Sequence, residues 1–319
     1  MNLQTFLPLS PAKNQIDYKS QILLLGSCFV ENMGDRLGYY KYQILQNPFG
    51  ILFHTFGIEN LIDRAIHNAT FTKEELVYND DRWFSFDAHS RINSSNEEEI
   101  ISCLNQALVR TNLQIQNSSH IIITLGTSWV FKEKSTNKMV ANCHKFPSTH
   151  FTKEILSIEE LKGSLQRTIA LIRGVNKTAA IIFTISPVRH IKNGIVANQR
   201  SKAHLIAALG EVLETNLEQG LHYFPSYELV MDELRDYRFY AKDMIHLNEL
   251  GVEYIWEKFK YVWLSEKTTK TMKEVDSIQK AISHRPFDEL SKKHQLFVSS
   301  FKKKIRAIKK EYPFMTFDQ

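Results

Sequence analysis

The chain has 319 residues, 43% hydrophobic and 24% charged, which excludes disorder, a collagen-like fibre and a disulfide-stapled mini-protein. Its net charge of +5 is uneven: residues 265–319 hold 13 Lys/Arg against 7 Asp/Glu, so the preceding residues are close to neutral. That distribution argues against a nucleic-acid enzyme, which spreads positive charge over a binding face.

In chain order, short apolar runs alternate with longer amphipathic stretches, the pattern of an α/β protein with a mostly parallel sheet. Residues 1–10 hold no basic n-region and no long apolar stretch, so no signal peptide is expected. Gln21 to Leu25 reads as a first buried strand ending at Gly26, followed by a helix over 29–37. Residues 40–45 read as a second strand leading into Asn47-Pro-Phe-Gly50. Helical periodicity covers 57–69, 97–112, 154–173 and 248–264. Residues 71–95 fit neither period and read as an insertion near the carboxyl edge of the sheet. Ile121–Leu125 and 179–185 are further strands, and Leu221–Tyr227 a weaker fifth. Ile206, Leu209, Leu213 and Leu217 share one helical face. The tail reads as two helices, one on Met272, Val275, Ile278 and Ile282, the other on Leu290, Phe297, Phe301, Ile305 and Ile308. The expected division is an α/β domain over 1–264 and a basic helical extension over 265–319. The basic run around Lys302 to Lys310 reads most economically as a solvated helix face packed on the core.

Ligands of an open parallel sheet bind beyond the carboxyl ends of its strands. The residues there are Gly26-Ser27-Cys28, Asn47-Pro-Phe-Gly50, Gly126-Thr127-Ser128-Trp129 and Ser186-Pro-Val-Arg-His190, with Asp243-Met-Ile-His246 ahead of the last core helix. Ser27, in a turn from strand to helix, either attacks a carbonyl or caps the helix. Cys28 is a rival nucleophile or a small buried apolar residue. Asp243 and His246, at i and i+3, suit a carboxylate orienting an imidazole, or a surface turn capping the next helix. The dinucleotide fingerprint, the P-loop, the His-Glu-x-x-His helix and the Gly-x-Ser-x-Gly elbow are absent. Cys143, His144 and His190 lack diagnostic metal-ligand spacing, and no metal or cofactor is expected. With cysteines only at 28, 103 and 143, and no apolar run of membrane-spanning length, a reduced cytoplasmic setting away from membranes is expected.

Leu25-Gly-Ser-Cys-Phe29 resembles the signature of the GSCFA family, with Val30 where the family name has alanine. Asn47–Gly50, Leu125–Trp129, Asn142–Lys145, Ser186–His190, Ser201–Ala203 and Asp236–Tyr240 running into His246 resemble that family in the same order, over about residues 20–262. The family is similar in turn to the SGNH (GDSL-type) hydrolases. That resemblance implies a three-layer α/β/α, flavodoxin-like fold and an ester hydrolase or O-acyltransferase, with a small-molecule or carbohydrate ester as substrate. By position it makes Ser27 the nucleophile, His246 the base and Asp243 its orienting partner, with Gly50 giving an oxyanion amide beside that of Ser27. SGNH enzymes carry an asparagine in the third block, where this chain has Gly126-Thr-Ser-Trp. Thr127, Ser128 or Asn142 is then the replacement donor. His144 and His190 are substrate contacts or scaffolding, and Arg189 and Lys202 are candidates for an anionic group or for surface pairing. A non-catalytic ligand-binding protein of the same fold is the alternative, motivated by the altered third block.

Overall fold

The structure, a computed structural model, describes residues 5–215, 220–284 and 291–317. Strand β1 (Gln21–Gly26) leads into helix α1 (Cys28–Tyr39), then β2 (Gln43–Gln46) and α2 (Thr55–Ile66). A hairpin of β3 (Leu76–Asn79) and β4 (Arg82–Ser85) precedes α3 (Glu97–Asn117) and β5 (His120–Leu125). Three short strands follow, β6 (Trp129–Glu133), β7 (Met139–Val140) and β8 (Phe151–Ile155), then α4 (Ile158–Val175) and β9 (Ala180–Ile185). Helix α5 (Ile195–Glu214), β10 (Leu221–Tyr223), the single turn α6 (Ser226–Glu228) and α7 (Glu249–Trp263) complete the core, and α8 (Thr269–Ser283) and α9 (Lys292–Glu311) form the tail.

The central sheet is parallel, in the order β10-β9-β5-β1-β2. Numbered along the chain within that sheet, this is the 2-1-3-4-5 order of flavodoxin-like folds. The inner strands read as unbroken apolar runs because both of their faces are covered. Alternation along each strand divides the side chains between two cores. Leu23, Leu25, Ile121, Ile123, Ile181 and Phe183 pack with α2 to α5, while Ile22, Leu24, Ile122 and Ile182 pack with α1, α7 and the tail. The result is a three-layer α/β/α arrangement. The strand order reverses between β1 and β5, so the crevice for a ligand opens beyond Gly26 and Leu125.

Three local readings need correction. The stretch over 154–173 is not helical from its start: Phe151–Ile155 pairs with β6, and the helix begins after Ser157, whose capping box with Glu160 fixes the boundary. The 71–95 insertion contains the β3–β4 hairpin, turned by Asp80 and Asp81, both at positive φ. In α5 the buried stripe is Asn198, Ser201, Lys202, Leu205, Leu209 and Val212, whereas Ile206 is 38% exposed. The polar anchors Ser201 and Lys202 turn the helix one position away from its most apolar face. Leu217 and Leu290 lie outside the described residues.

The tail is built into the second core. Met272, Val275, Ile278, Ile308 and Met315 are buried there beside Ile16, Tyr18 and Trp256, and Tyr312 packs on Tyr18 with ring centroids 5.0 Å apart. Deleting residues 265–319 strips this apolar cover from α1 and α7. We expect that deletion to lower the thermal midpoint and create dye-binding apolar surface; an unchanged midpoint would mark the tail as a detachable arm.

Candidate active site

Gly26 closes β1 at φ +130°, and a Cβ there would stand 2.1 Å from the Thr124 carbonyl oxygen, so the strand end admits glycine alone. Ser27 follows at the N-cap position of α1. Its hydroxyl caps nothing: it makes no bond to the helix amides, is fully buried and has no hydrogen-bond partner. The Ser27 amide donates to the Thr124 carbonyl at 3.1 Å. Cys28 is half-buried, and burial followed by the charge of Glu31 pushes its thiol up, against the lowering pull of Lys202 and the Cys28 and Phe29 amides. A raised thiol has little thiolate and is a poor nucleophile.

The turn after β2 lies beside that of β1. Asn47, at φ 40°, accepts the Gly26 amide on Oδ1 at 2.9 Å, while its Nδ2 is buried without a partner. The Gly50 amide donates to the Asn47 carbonyl at 2.7 Å, closing this turn. The two amides expected to hold an oxyanion, those of Ser27 and Gly50, are therefore both occupied. Local turn closure and the sheet ladder take them first.

On the other side of Ser27, the Gly126 and Thr127 amides donate to the Phe53 carbonyl at 2.8 and 2.9 Å. Thr127 Oγ1 and the Ser128 amide both bond Ser201 Oγ, at 2.9 and 2.8 Å, and Ser128 Oγ donates to the Ser201 carbonyl. Thr127 and Ser128 thus fasten the third turn to α5. Next to Ser201, the fully buried Lys202 ammonium donates to the carbonyls of Gly126 and Ser186, each at 2.6 Å. It bridges the ends of β5 and β9 and joins no ion pair among the described residues. Burial lowers its pKa to about 7. The surface-pairing reading of Lys202 is thereby replaced. Its signal in the sequence was a polar pair, Ser201-Lys202, in register with Leu205 and Leu209 on a buried helix face.

Asp243 and His246 form the pair their spacing suggests. His246 Nδ1 and Asp243 Oδ2 are 2.7 Å apart, and Asp243 Oδ1 accepts the amides of Ile245 and His246 at 2.9 and 3.0 Å. The bond from His246, with those amides, holds the Asp243 carboxyl down at about 2. This pair lies on an exposed turn, whereas Ser27 is buried, and the Ser27 hydroxyl and the His246 ring are not hydrogen-bonded to each other. His190 packs its ring edge-on against Phe53 at 5.2 Å, donates its amide to Asn198 Oδ1 at 2.8 Å and has an unpartnered Nε2. Burial, with the charges of Lys202 and His246, lowers its pKa to about 4, so it is neutral at physiological pH. The Arg189 guanidinium lies 5.6 Å from the Tyr240 ring centroid and beside the Met231 sulfur.

Asn142 and His144 have other work. Asn142 Oδ1 accepts the His144 amide at 2.9 Å, and His144 meets the Ser85 carbonyl at 2.7 Å and Ser90 Oγ at 3.0 Å, its ring stacked on Phe84. They tie the 139–146 loop to the insertion. The insertion is also tied to the site's edge: the His89 amide donates to the Phe49 carbonyl, and Arg91 pairs with Glu31 in the first turn of α1 at 3.0 and 3.1 Å. Among the described residues no group of three His, Cys, Asp or Glu is gathered for a metal, and no helix is long and apolar enough to cross a membrane.

A family model described as the GSCFA family matches residues 21–259. The chain belongs to the GSCFA family. A second model, the C-terminal domain of GSCFA domain proteins, matches residues 275–319. The basic tail, which lies outside the motifs quoted from the sequence, thus has its own counterpart in GSCFA proteins. No curated protein matches the chain. The GSCFA match spans every turn described above, from Ser27 to His246.

Proposed function

We propose that this GSCFA protein is a serine acyl-transfer enzyme acting on an ester, as hydrolase or O-acyltransferase. The observation that supports it most is the Ser27 hydroxyl, buried at the switch point of the sheet and bonded to nothing, so that its helix-cap role is unfilled. Ser27 Oγ attacks the acyl carbon, and its proton passes to His246. A tetrahedral intermediate forms, collapses to an acyl-enzyme and expels the alcohol, which receives the proton back from His246. Water or a second hydroxyl then takes the acyl group by the reverse sequence. Asp243 accepts a hydrogen bond from the Nδ1–H of His246, which keeps the proton on Nδ1 and leaves Nε2 as the base. Catalytic contacts are often long before substrate binds, and here the engagement of His246 with Ser27 belongs to the loaded site. Resemblance to SGNH hydrolases supports the same roles, and a carbohydrate ester is the substrate class taken from that resemblance.

One observation favours the second reading, a non-catalytic ligand-binding protein: the Ser27 and Gly50 amides are both occupied. Intact-mass analysis after treatment with a fluorophosphonate separates the two. We expect one adduct, mapping to Ser27 and lost in His246→Ala. A folded protein that takes up no probe would favour binding without turnover.

A further inference from the structure

Acyl transfer at Ser27 places negative charge on the substrate's carbonyl oxygen, and a buried site must meet that charge with donors already in position. Five backbone donors around Ser27 are engaged. Ser27 donates to Thr124, Gly50 to Asn47, and Gly126 and Thr127 to Phe53, while Gly26 donates to the Asn47 side chain. The first amides of α1, those of Cys28 and Phe29, lower the pKa of the adjacent Cys28 thiol. The hydroxyls of Thr127 and Ser128 are tied to Ser201.

Buried side-chain donors without a partner in this group of turns are Thr124 Oγ1, His190 Nε2 and, tied through its own oxygen to the neighbour of Ser27, the Nδ2 of Asn47. Its orientation follows from chemistry. The Gly26 amide can only donate, so the atom 2.9 Å from it must be the Asn47 oxygen, and the NH2 group is fixed on the other side of the side-chain amide. The residue itself is held on three sides: its amide donates to Leu24, its carbonyl accepts from Gly50, and its side chain accepts from Gly26, the immediate neighbour of Ser27. A rigid, buried side chain with two unpaired N–H groups is a preorganised donor.

We propose that Asn47 Nδ2 donates to the oxyanion formed when Ser27 attacks, filling from the β2 turn the place left by Gly126-Thr-Ser-Trp in the β5 turn. The inference rests on Ser27 being the nucleophile. It makes Asn47 a catalytic residue and explains why this chain does without an asparagine after β5: the amide approaches from the neighbouring strand on the opposite side.

Asn47→Asp tests the proposal, because it keeps an oxygen for the Gly26 amide and replaces the donor by a second acceptor. The readouts are the rate of Ser27 labelling by a fluorophosphonate, whose phosphonyl oxygen develops charge as the carbonyl oxygen would, and the thermal midpoint. The expected result is labelling slowed by about a hundredfold or more at a near-parental midpoint. A purely structural role would move the midpoint and leave the labelling rate of the folded protein alone. Parent and variant labelling at similar rates overturns the role of Asn47 while leaving Ser27 in place; a parent not labelled at Ser27 overturns both readings. If the variant does not fold, the crystal structure of the phosphonylated parent decides. The phosphonyl oxygen is expected within about 3.1 Å of Asn47 Nδ2, and an oxygen turned away from it overturns the proposal.

Discussion

Replacing Ser27 by Ala is expected to lower ester turnover by roughly a thousandfold or more while leaving the thermal midpoint unchanged or slightly higher. The two halves of that result come from one side chain. A serine that caps a helix stabilises it by about 1 kcal/mol, and its alanine variant is less stable by that amount. Ser27 stands at the N-cap of α1 but its hydroxyl bonds no helix amide and no other group. A buried hydroxyl without a partner is itself destabilising, on the order of 1–3 kcal/mol, so a methyl group in its place relieves a cost. Paired measurements of turnover on short p-nitrophenyl esters and of thermal unfolding check both halves. Retained turnover would sink the nucleophile assignment, and a midpoint drop of several degrees would restore the cap.

The second large effect concerns Lys202 and the dependence of stability on pH. Burial lowers the folded-state pKa from its ordinary 10.5 to about 7. Below about pH 7 the folded and unfolded chains both hold this proton, and the full cost of burying an ammonium is present. Between about 7 and 10.5 the folded chain has released the proton while the unfolded chain keeps it, so raising the pH stabilises the fold. A shift of this size corresponds to about 5 kcal/mol across the window. Lys202→Met, similar in length and without a titrating group, loses that slope. It also leaves the Gly126 and Ser186 carbonyls without their donor, a loss that does not vary with pH. Urea unfolding of parent and variant at pH 6.5 and 9.5 isolates the difference, since tyrosines and other lysines titrate in both. Equal slopes would show that the amine keeps its proton throughout.

The parts of the fold that were legible were those specified by nearby residues. β1, β5 and β9 stand out as apolar runs because burial on both faces leaves little room for polar residues, and Gly26 and Ser186-Pro187 mark two of their ends. β8 was hidden because Phe151-Thr-Lys-Glu-Ile is short and holds three polar residues in a row, without the alternation of a half-buried strand, and its partner β6 lies on the far side of a loop. The β3–β4 hairpin did carry a local sign, the Asp80-Asp81 pair between alternating residues, since aspartate tolerates positive φ in two-residue turns. In the site, the Asp243–His246 pair could be read because three residues of turn bring the side chains together. The occupation of the Ser27 and Gly50 amides could not, because it depends on Thr124 in a strand far along the chain and on the conformation of Asn47. Sequence spacing indicates which residue types reach the sheet edge; the pairing of strands decides which of their N–H groups remain free.

The order in which the strands join has a consequence for how the chain folds. β1 lies between β2, its neighbour along the chain, and β5, whose residues come about a hundred positions later, and Ile16 pairs with Leu264. The Ser27 turn is therefore assembled from distant parts of the polypeptide, and closing such long loops is slow compared with forming a helix. During synthesis from the N-terminus, β1 leaves the ribosome well before the strand that will cover its second edge, and Tyr18 well before Tyr312. An apolar strand with an open edge in the interim is a point of exposure to aggregation or chaperone capture. The turn that carries Ser27, on this account, is complete only late in the life of a nascent chain.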